Sequence, residues 1–387
     1  MRKIILFIAS LFFTTLSAQN WTGTWATAIE FEGDNDMPKN TSLSGCAVRQ
    51  TVHVSLGGSV LRLQLSNAFS KEPVEITSIY IADAKEGVDI NSQSAQYLSF
   101  NGKRGITIAP GKTAVSDELK YRLQPLQRLS ITINYGKTPK NATGHRGSRT
   151  TSYIMKGESK PKTTFEVTEK VEHWYNIDAI DVQTTGQAPC IAVLGNSITD
   201  GRGSTTDQQN RWTDICAEAL QGQIGILNLG IGGNCVLQGG LGQPAVDRFD
   251  RDILGQRGLS TVIIYEGIND IGGSKNAERT SRQLISAYKD FIEKARKQGL
   301  KVIGGTITPI GHTSYWSYFH EAVRQSVNEW IRTSGNFDAV IDFDMVLRDP
   351  AQPTQMNPDY QYDWLHPNAK GYKAMGEEAA RIILSTK

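Results

Sequence analysis

At 387 residues the chain exceeds the roughly 250–300 that one hydrophobic core serves, so two domains are the starting expectation. Its 39% hydrophobic and 21% charged residues describe a globular chain and argue against pervasive disorder. The formal net charge is +2, and no run of Lys and Arg is long enough to neutralise a row of phosphates, which argues against a nucleic-acid partner.

Arg2 and Lys3 precede a mostly apolar run from Ile4 to Leu16, followed by the small residues Ser17 and Ala18. This is the layout of an export signal over residues 1–18, with the mature chain starting near Gln19. Leu16 is bulky where cleavage sites prefer a small residue, so an uncleaved anchor is the other reading. No later stretch reaches the ~18 uninterrupted apolar residues of a spanning helix, so a secreted or periplasmic protein without stable membrane insertion is expected. Cys46, Cys190, Cys216 and Cys235 are too few for a disulfide scaffold and show no Cys-x-x-Cys spacing; small buried side chains are expected, with any pairing left open. His320-Glu321 lacks the second His four positions on, so no zinc motif is present.

Residues 19–185 read as an accessory all-β domain. Apolar and polar residues alternate at 48–56 and 60–65, and similar short segments recur at 74–82, 105–109, 129–135 and 175–182. Turns rich in Gly, Pro, Asn and Lys separate them, which favours an antiparallel sandwich or jelly roll. Within this half, Gly144-His145-Arg146-Gly147-Ser148-Arg149 is a polar loop with no acid-base partner nearby in sequence. It is either a solvated hairpin loop or a set of donors that reach a substrate.

Residues 185–189 have linker composition, and from 190 to 387 strands alternate with helices. Strands are expected at 191–194, 224–229, 261–265, 301–307 and 339–342, and an amphipathic helix at 277–298 that Gly299 ends. The segment 247–252 alternates Asp and Arg around Phe249 and reads most simply as a solvated helix face. Repeated β-α units imply a parallel sheet with ligands beyond the carboxyl ends of its strands.

Four motifs fall at that end. The first strand runs into Gly195-Asn196-Ser197, where Ser197 is either a nucleophile held rigidly on a tight turn or a helix N-cap. The second leads to Gly232-Gly233-Asn234 and the third to Gly267-Ile268-Asn269-Asp270. A glycine N–H and an Asn amide are the uncharged donors that a tetrahedral oxyanion needs, each contributing ~3 kcal/mol, although a plain turn and an Asx-turn would use the same residues. Before the last helix, Asp363-Trp364-Leu365-His366 places a carboxylate and an imidazole three residues apart, a base with its orienting partner or a loop His with local hydrogen bonds.

Together these blocks resemble the SGNH/GDSL hydrolases, over about half the chain from Cys190 onward. The resemblance implies a flavodoxin-like three-layer α/β/α sandwich, hydrolysis of esters or thioesters, and no metal or organic cofactor. It implies Ser197 as nucleophile, an oxyanion hole from the Ser197 N–H with Gly233 and Asn269, and Asp363 orienting His366. Asn196 departs from the Asp usual in the first block. The Trp21-Thr22-Gly23-Thr24-Trp25 start resembles, more weakly, the β-rich domain that precedes the hydrolase in some bacterial members.

Aromatic residues crowd the active end: Tyr315, Trp316, Tyr318 and Phe319 after the fourth strand, and Tyr360, Tyr362 and Trp364 around the Asp and His. Such rings stack on sugars or serve as core and lid. With export and an accessory β domain they favour removal of short acyl groups, acetyl foremost, from a carbohydrate. The alternatives are a broad-range lipase, arylesterase or thioesterase, or a non-catalytic glycan-binding protein. The oligomeric state is open.

Overall fold

The computed structural model describes residues 20–184, 186 and 188–386; the expected export segment and part of the expected linker lie outside them. Residues 20–184 build two antiparallel sheets. One has five strands, with Ile177–Thr184 between Asn20–Ala26 and Gly58–Ser66. The other has seven and centres on Cys46–His53, Arg128–Tyr135 and Val74–Asp83. Alternation sets which side chains meet: Leu61, Leu63 and Leu65 are buried while Val60, Arg62 and Gln64 keep partial exposure. Across the second sheet Ile131 faces Ile81 and Ile133 faces Ile79. These residues join Val48, Val52, Ile180 and Val182 in one sandwich core, with each Leu or Ile contributing ~1.5–3 kcal/mol of burial. A third, small ribbon that the alternation pattern does not reveal pairs Ala142–His145 with Glu30–Glu32 and Trp174–Tyr175.

The second half is a parallel sheet of β1 (Cys190–Gly195), β2 (Gly225–Gly230), β3 (Leu259–Tyr265), β4 (Lys301–Gly305) and β5 (Ala339–Ile341) in the spatial order 2-1-3-4-5. That order is flavodoxin-like, and its switch point lies where β2 and β3 flank β1. Every residue of β1 is buried, as a central strand covered on both faces requires. Helix α1 is the four residues Ser197–Asp200, followed by α2 (Trp212–Ala219) and α3 (Ala245–Arg248), then α4 (Ile268–Gly272) and α5 (Ala277–Lys297). The last three are α6 (Tyr318–Thr333), α7 (Phe343–Leu347) and α8 (Ala369–Ser385). Helix α2 packs on α8, and α5 on α6.

The two halves share buried surface. Gly23 donates its N–H to the Arg257 carbonyl at 3.0 Å, and a Cβ there would stand 2.9 Å from Leu227 of β2. Ala26, Ala28 and Ala179 of the first half belong to the hydrophobic core of the second. The Ile226 N–H of β2 donates to the Ser55 hydroxyl at 3.0 Å.

One expectation is corrected here. The segment 247–252 is solvated on one side only: Asp247, Asp250 and Arg251 are exposed, whereas Arg248 and Phe249 are fully buried and Asp252 nearly so. Helix α3 continues into a π-turn over Phe249–Leu254 that packs this segment under the sheet. Arg248 tolerates burial because all three of its nitrogens donate, to the carbonyls of Gly195 (3.0 Å) and Leu229 (2.8 Å), the Asn234 side chain (3.0 Å) and Asp252 (3.3 Å).

Candidate active site

Ser197, Gly233, Asn269, Asp363 and His366 come from four separate segments and line one cleft of about 510 Å³. Ser197 opens α1 directly after β1. Asn196, not Ser197, is the N-cap of that helix, its side-chain oxygen accepting the Ile198 N–H at 3.0 Å. An amide oxygen supplies that acceptor as a carboxylate would, so the departure from the usual Asp leaves the turn intact. Gly195 has no room for a side chain, since a Cβ would lie 2.2 Å from the Thr199 hydroxyl. The tight turn leaves Ser197 only 6% exposed.

The Ser197 Oγ is 2.8 Å from His366 Nε2, and His366 Nδ1 lies 2.9 Å from both oxygens of Asp363. With Nδ1–H donated to the carboxylate, Nε2 is left as an acceptor toward the serine. Trp364 permits this fold-back by taking a left-handed backbone (φ 66°), and Asp363 Oδ1 also accepts the His366 N–H at 2.8 Å. Burial lowers the His366 pKa below its ordinary 6.5, and the charges of Arg202 and Arg149 add to that against the pull of Asp363. Asp363 is held below the ordinary carboxylate value, where burial is outweighed by its bonds to the His366 backbone and ring.

Gly233 has a left-handed backbone (φ 70°). Among the described residues, neither its N–H nor that of Ser197 has a hydrogen-bond partner. The Asn269 amide donates to the Asn234 carbonyl at 2.7 Å and accepts the Tyr315 hydroxyl at 2.8 Å, which fixes its orientation and leaves one N–H unspent. Tyr315, expected among the sugar-stacking aromatics, therefore spends its polar end on Asn269, and Trp364 lies against His312 at 4.7 Å. Tyr318 and Tyr362 are exposed but are not among the residues that line the cleft. Asp270 holds the loop after β2 by accepting the N–H groups of Val236 and Leu237 at 2.8 and 3.0 Å.

The 144–149 loop is neither a solvated hairpin nor, at His145, a set of free donors. His145 is 3% exposed and bonded across the seam to Asp200 of α1, so substrate contact by this residue is ruled out by burial. Arg149 also binds Asp200, at 2.7 Å, yet still lines the cleft with Arg146, Arg202 and Glu30. Sequence reasoning missed Arg248, Tyr315 in its orienting role, and Asp200. For Arg248 a signal existed: Ala245, Phe249 and Ile253 recur every four residues as one apolar stripe, with Asp252 four residues beyond the arginine. The four cysteines are buried free thiols.

A 2-1-3-4-5 parallel sheet with a serine and its imidazole and carboxylate gathered at the carboxyl ends of the strands defines the class of three-layer α/β hydrolases. Residues 193–374 match the GDSL-like Lipase/Acylhydrolase family, and the chain is an SGNH/GDSL hydrolase over that region. The uncharacterized lipoprotein YqeF of Bacillus subtilis (strain 168) is 32% identical over 145 residues, 34% of this chain and 56% of the relative, so the chain spans about half the length of that protein. A GDSL-like lipase from Bacteroides thetaiotaomicron VPI-5482 aligns at 21% identity over 52% of this chain and 88% of its own, with a TM-score of 0.38. A carbohydrate esterase family 2 enzyme with a carbohydrate binding domain, from Corynascus thermopiles, aligns at 14% identity over 93% of this chain and 99% of its own, with a TM-score of 0.39.

Proposed function

We propose that this protein is an exported serine esterase that removes short acyl groups, acetyl foremost, from a carbohydrate. The observation that carries the reading is the continuous contact from Ser197 Oγ to His366 Nε2 and on from Nδ1 to Asp363. In this mechanism Ser197 Oγ attacks the ester carbonyl carbon as its proton passes to His366 Nε2. The carbonyl oxygen takes the negative charge and is met by the N–H groups of Ser197, Gly233 and Asn269. Collapse expels the alcohol oxygen, which receives the proton from His366 and leaves an acyl-Ser197 ester. Water, deprotonated by the same Nε2, attacks that ester and regenerates the hydroxyl.

Support for a carbohydrate comes from the cleft wall, where Asp36, Arg146, Arg149 and Arg202 offer polar contacts to hydroxyl groups. Support for export comes from the charged and then apolar segment of residues 1–18, and from the YqeF relative's description as a lipoprotein. A broad-range esterase is the second reading. It is favoured by Leu241, 52% exposed on a groove of about 1080 Å³ that begins at Gly233 and Asn269 and offers room for a longer acyl chain. Acetate release from a panel of acetylated glycans, set against hydrolysis of aryl acetate and aryl octanoate, separates the two. Ser197→Ala is expected to abolish all of these activities with little change in the unfolding transition, since only a hydroxyl is lost; retained turnover would sink both readings.

A further inference from the structure

Two histidines of the β-sandwich reach across the seam into the hydrolase half. His145 Nε2 is 2.8 Å from Asp200 Oδ1 and its Nδ1 is 2.8 Å from the Ala28 carbonyl. His53 repeats the arrangement, with Nδ1 3.1 Å from Asp214 Oδ1 and Nε2 3.0 Å from the Leu126 carbonyl. A carbonyl and a carboxylate only accept hydrogen bonds. A neutral imidazole has one N–H, so it would set its remaining lone pair against an oxygen; both rings satisfy their contacts only as imidazolium ions. Arg211 links the pairs, donating from Nε to the Asp200 carbonyl at 3.1 Å and from Nη1 to Asp214 at 3.2 Å. The space among these groups is a pocket of about 30 Å³.

The two pairs end at different places. Asp214 belongs to α2, whereas Asp200 is the last residue of α1, the helix that Ser197 begins. That single turn is closed by the Gly201 and Arg202 N–H groups on the Ser197 carbonyl at 3.0 and 2.9 Å, so a displacement of Asp200 is transmitted to Ser197. Asp200 is held from the far side as well: Arg149 Nη2 takes its second oxygen, and the loop approaches so closely that a Cβ on Gly147 would lie 2.1 Å from the carboxylate.

We propose that His145 is a positioning residue for Ser197, held as an imidazolium between Ala28 and Asp200 so that the β-sandwich fixes the far end of the nucleophile's helix. The proposal rests on Ser197 being the nucleophile, as argued above. The groups facing the ring are Asp200 of α1, Glu30 of the small ribbon with an oxygen 3.6 Å from Nδ1, and the Trp174 ring at 5.9 Å; Arg146 and Arg149 flank it on its own loop, with His173 and Arg211 beyond. Burial opposes the charged ring, but the bond and charge of Asp200, with Glu30 and the Ala28 carbonyl, outweigh it and raise its pKa.

His145→Gln can donate to only one of the two acceptors and carries no charge. A misplacement of the order of 1 Å costs about 100-fold in rate, so this variant is expected to lower kcat on a small aryl acetate by about 10- to 100-fold with KM within about 2-fold. The capture of Ser197 by an aryl phosphonate should slow by a similar factor. In the wild type, the ring nitrogens of His145 should give imidazolium ¹⁵N shifts at neutral pH, and the rate of phosphonate capture should fall as that signal titrates with rising pH. Unchanged kcat and capture rate in a folded His145→Gln would overturn the proposal. Should the variant fail to fold, a wild-type capture rate that ignores the His145 titration would overturn it equally. Failure of the underlying reading is a separate result: the phosphonate would then not label Ser197 in the wild type, whatever His145 does.

Discussion

At the scale of single residues, the site works through groups whose own partners are spent on orientation. In the proposed mechanism His366 acts as base only when neutral, and its pKa is pushed below the ordinary 6.5 because burial and the charges of Arg202 and Arg149 disfavour its proton. Activity should therefore rise with pH through a midpoint below 6.5 and reach its plateau by neutrality. Arg202→Gln removes one of those charges, so kcat/KM against pH should show the acid limb displaced upward; an unmoved limb would discount Arg202 as a contributor. Asn269 is oriented in the same manner, by Tyr315 and by the Asn234 carbonyl. Asn269→Ala is expected to reduce kcat by about 10²–10³ with a smaller effect on KM. Tyr315→Phe, which frees the amide to turn, should give a smaller loss of the same kind, whereas a pure KM effect would place Asn269 in substrate binding.

At the scale of elements, the strand ends are what Arg248 secures. It ties the last carbonyl of β1 to that of Leu229 in β2 and to Asn234, whose own carbonyl receives the Asn269 amide. Arg248→Met leaves three buried acceptors and Asp252 short of a donor, a change that typically costs about 3–5 kcal/mol. The expected outcome is a lower urea midpoint together with reduced kcat; an unchanged midpoint at equal m would mean water replaces the guanidinium. The strands were legible because a buried parallel strand must be apolar throughout, as in β1, and an antiparallel one must alternate, as at 60–65. The chemical blocks were legible because acyl transfer needs particular residue types on adjacent loops. Arg248, Tyr315 and the His145–Asp200 pair were not, because each acts through a partner brought close only by the fold: 145 and 200 lie 55 positions apart, and 269 and 315 lie 46 apart. A run of alternating Asp and Arg looks solvated until the strand-end carbonyls it serves are in place.

At the scale of the whole molecule, two kinds of histidine are shifted in opposite senses. His366 needs to be without its proton and has a lowered pKa. His53 and His145 need to keep theirs, and both are raised: burial opposes the charge in each, but the bond and charge of Asp214 or Asp200 outweigh it. Asp200 and Asp214 are correspondingly lowered, burial being overcome first by the charges of Arg149 and Arg211. The signs follow from proton linkage. A histidine raised in the folded state binds its proton more tightly there than in the unfolded chain. Its contribution to stability is complete below the ordinary 6.5 and disappears as pH rises through the raised value. The lowered carboxylates contribute above their ordinary 3.8 and lose that contribution only in acid. The seam is therefore strongest between those limits and weakens on the alkaline side. Urea midpoints measured from pH 6 to pH 9 should fall for the wild type and fall less steeply for His53→Gln, which removes one of the two titrating rings without touching α1. The same variant should keep kcat within about 2-fold, because Asp214 braces α2 and the nucleophile's helix retains its own partner in His145. Parallel midpoints for the two proteins would show that His53 holds no proton whose loss opens the seam, and a large fall in kcat would show that the His53–Asp214 pair also steadies α1, through Arg211.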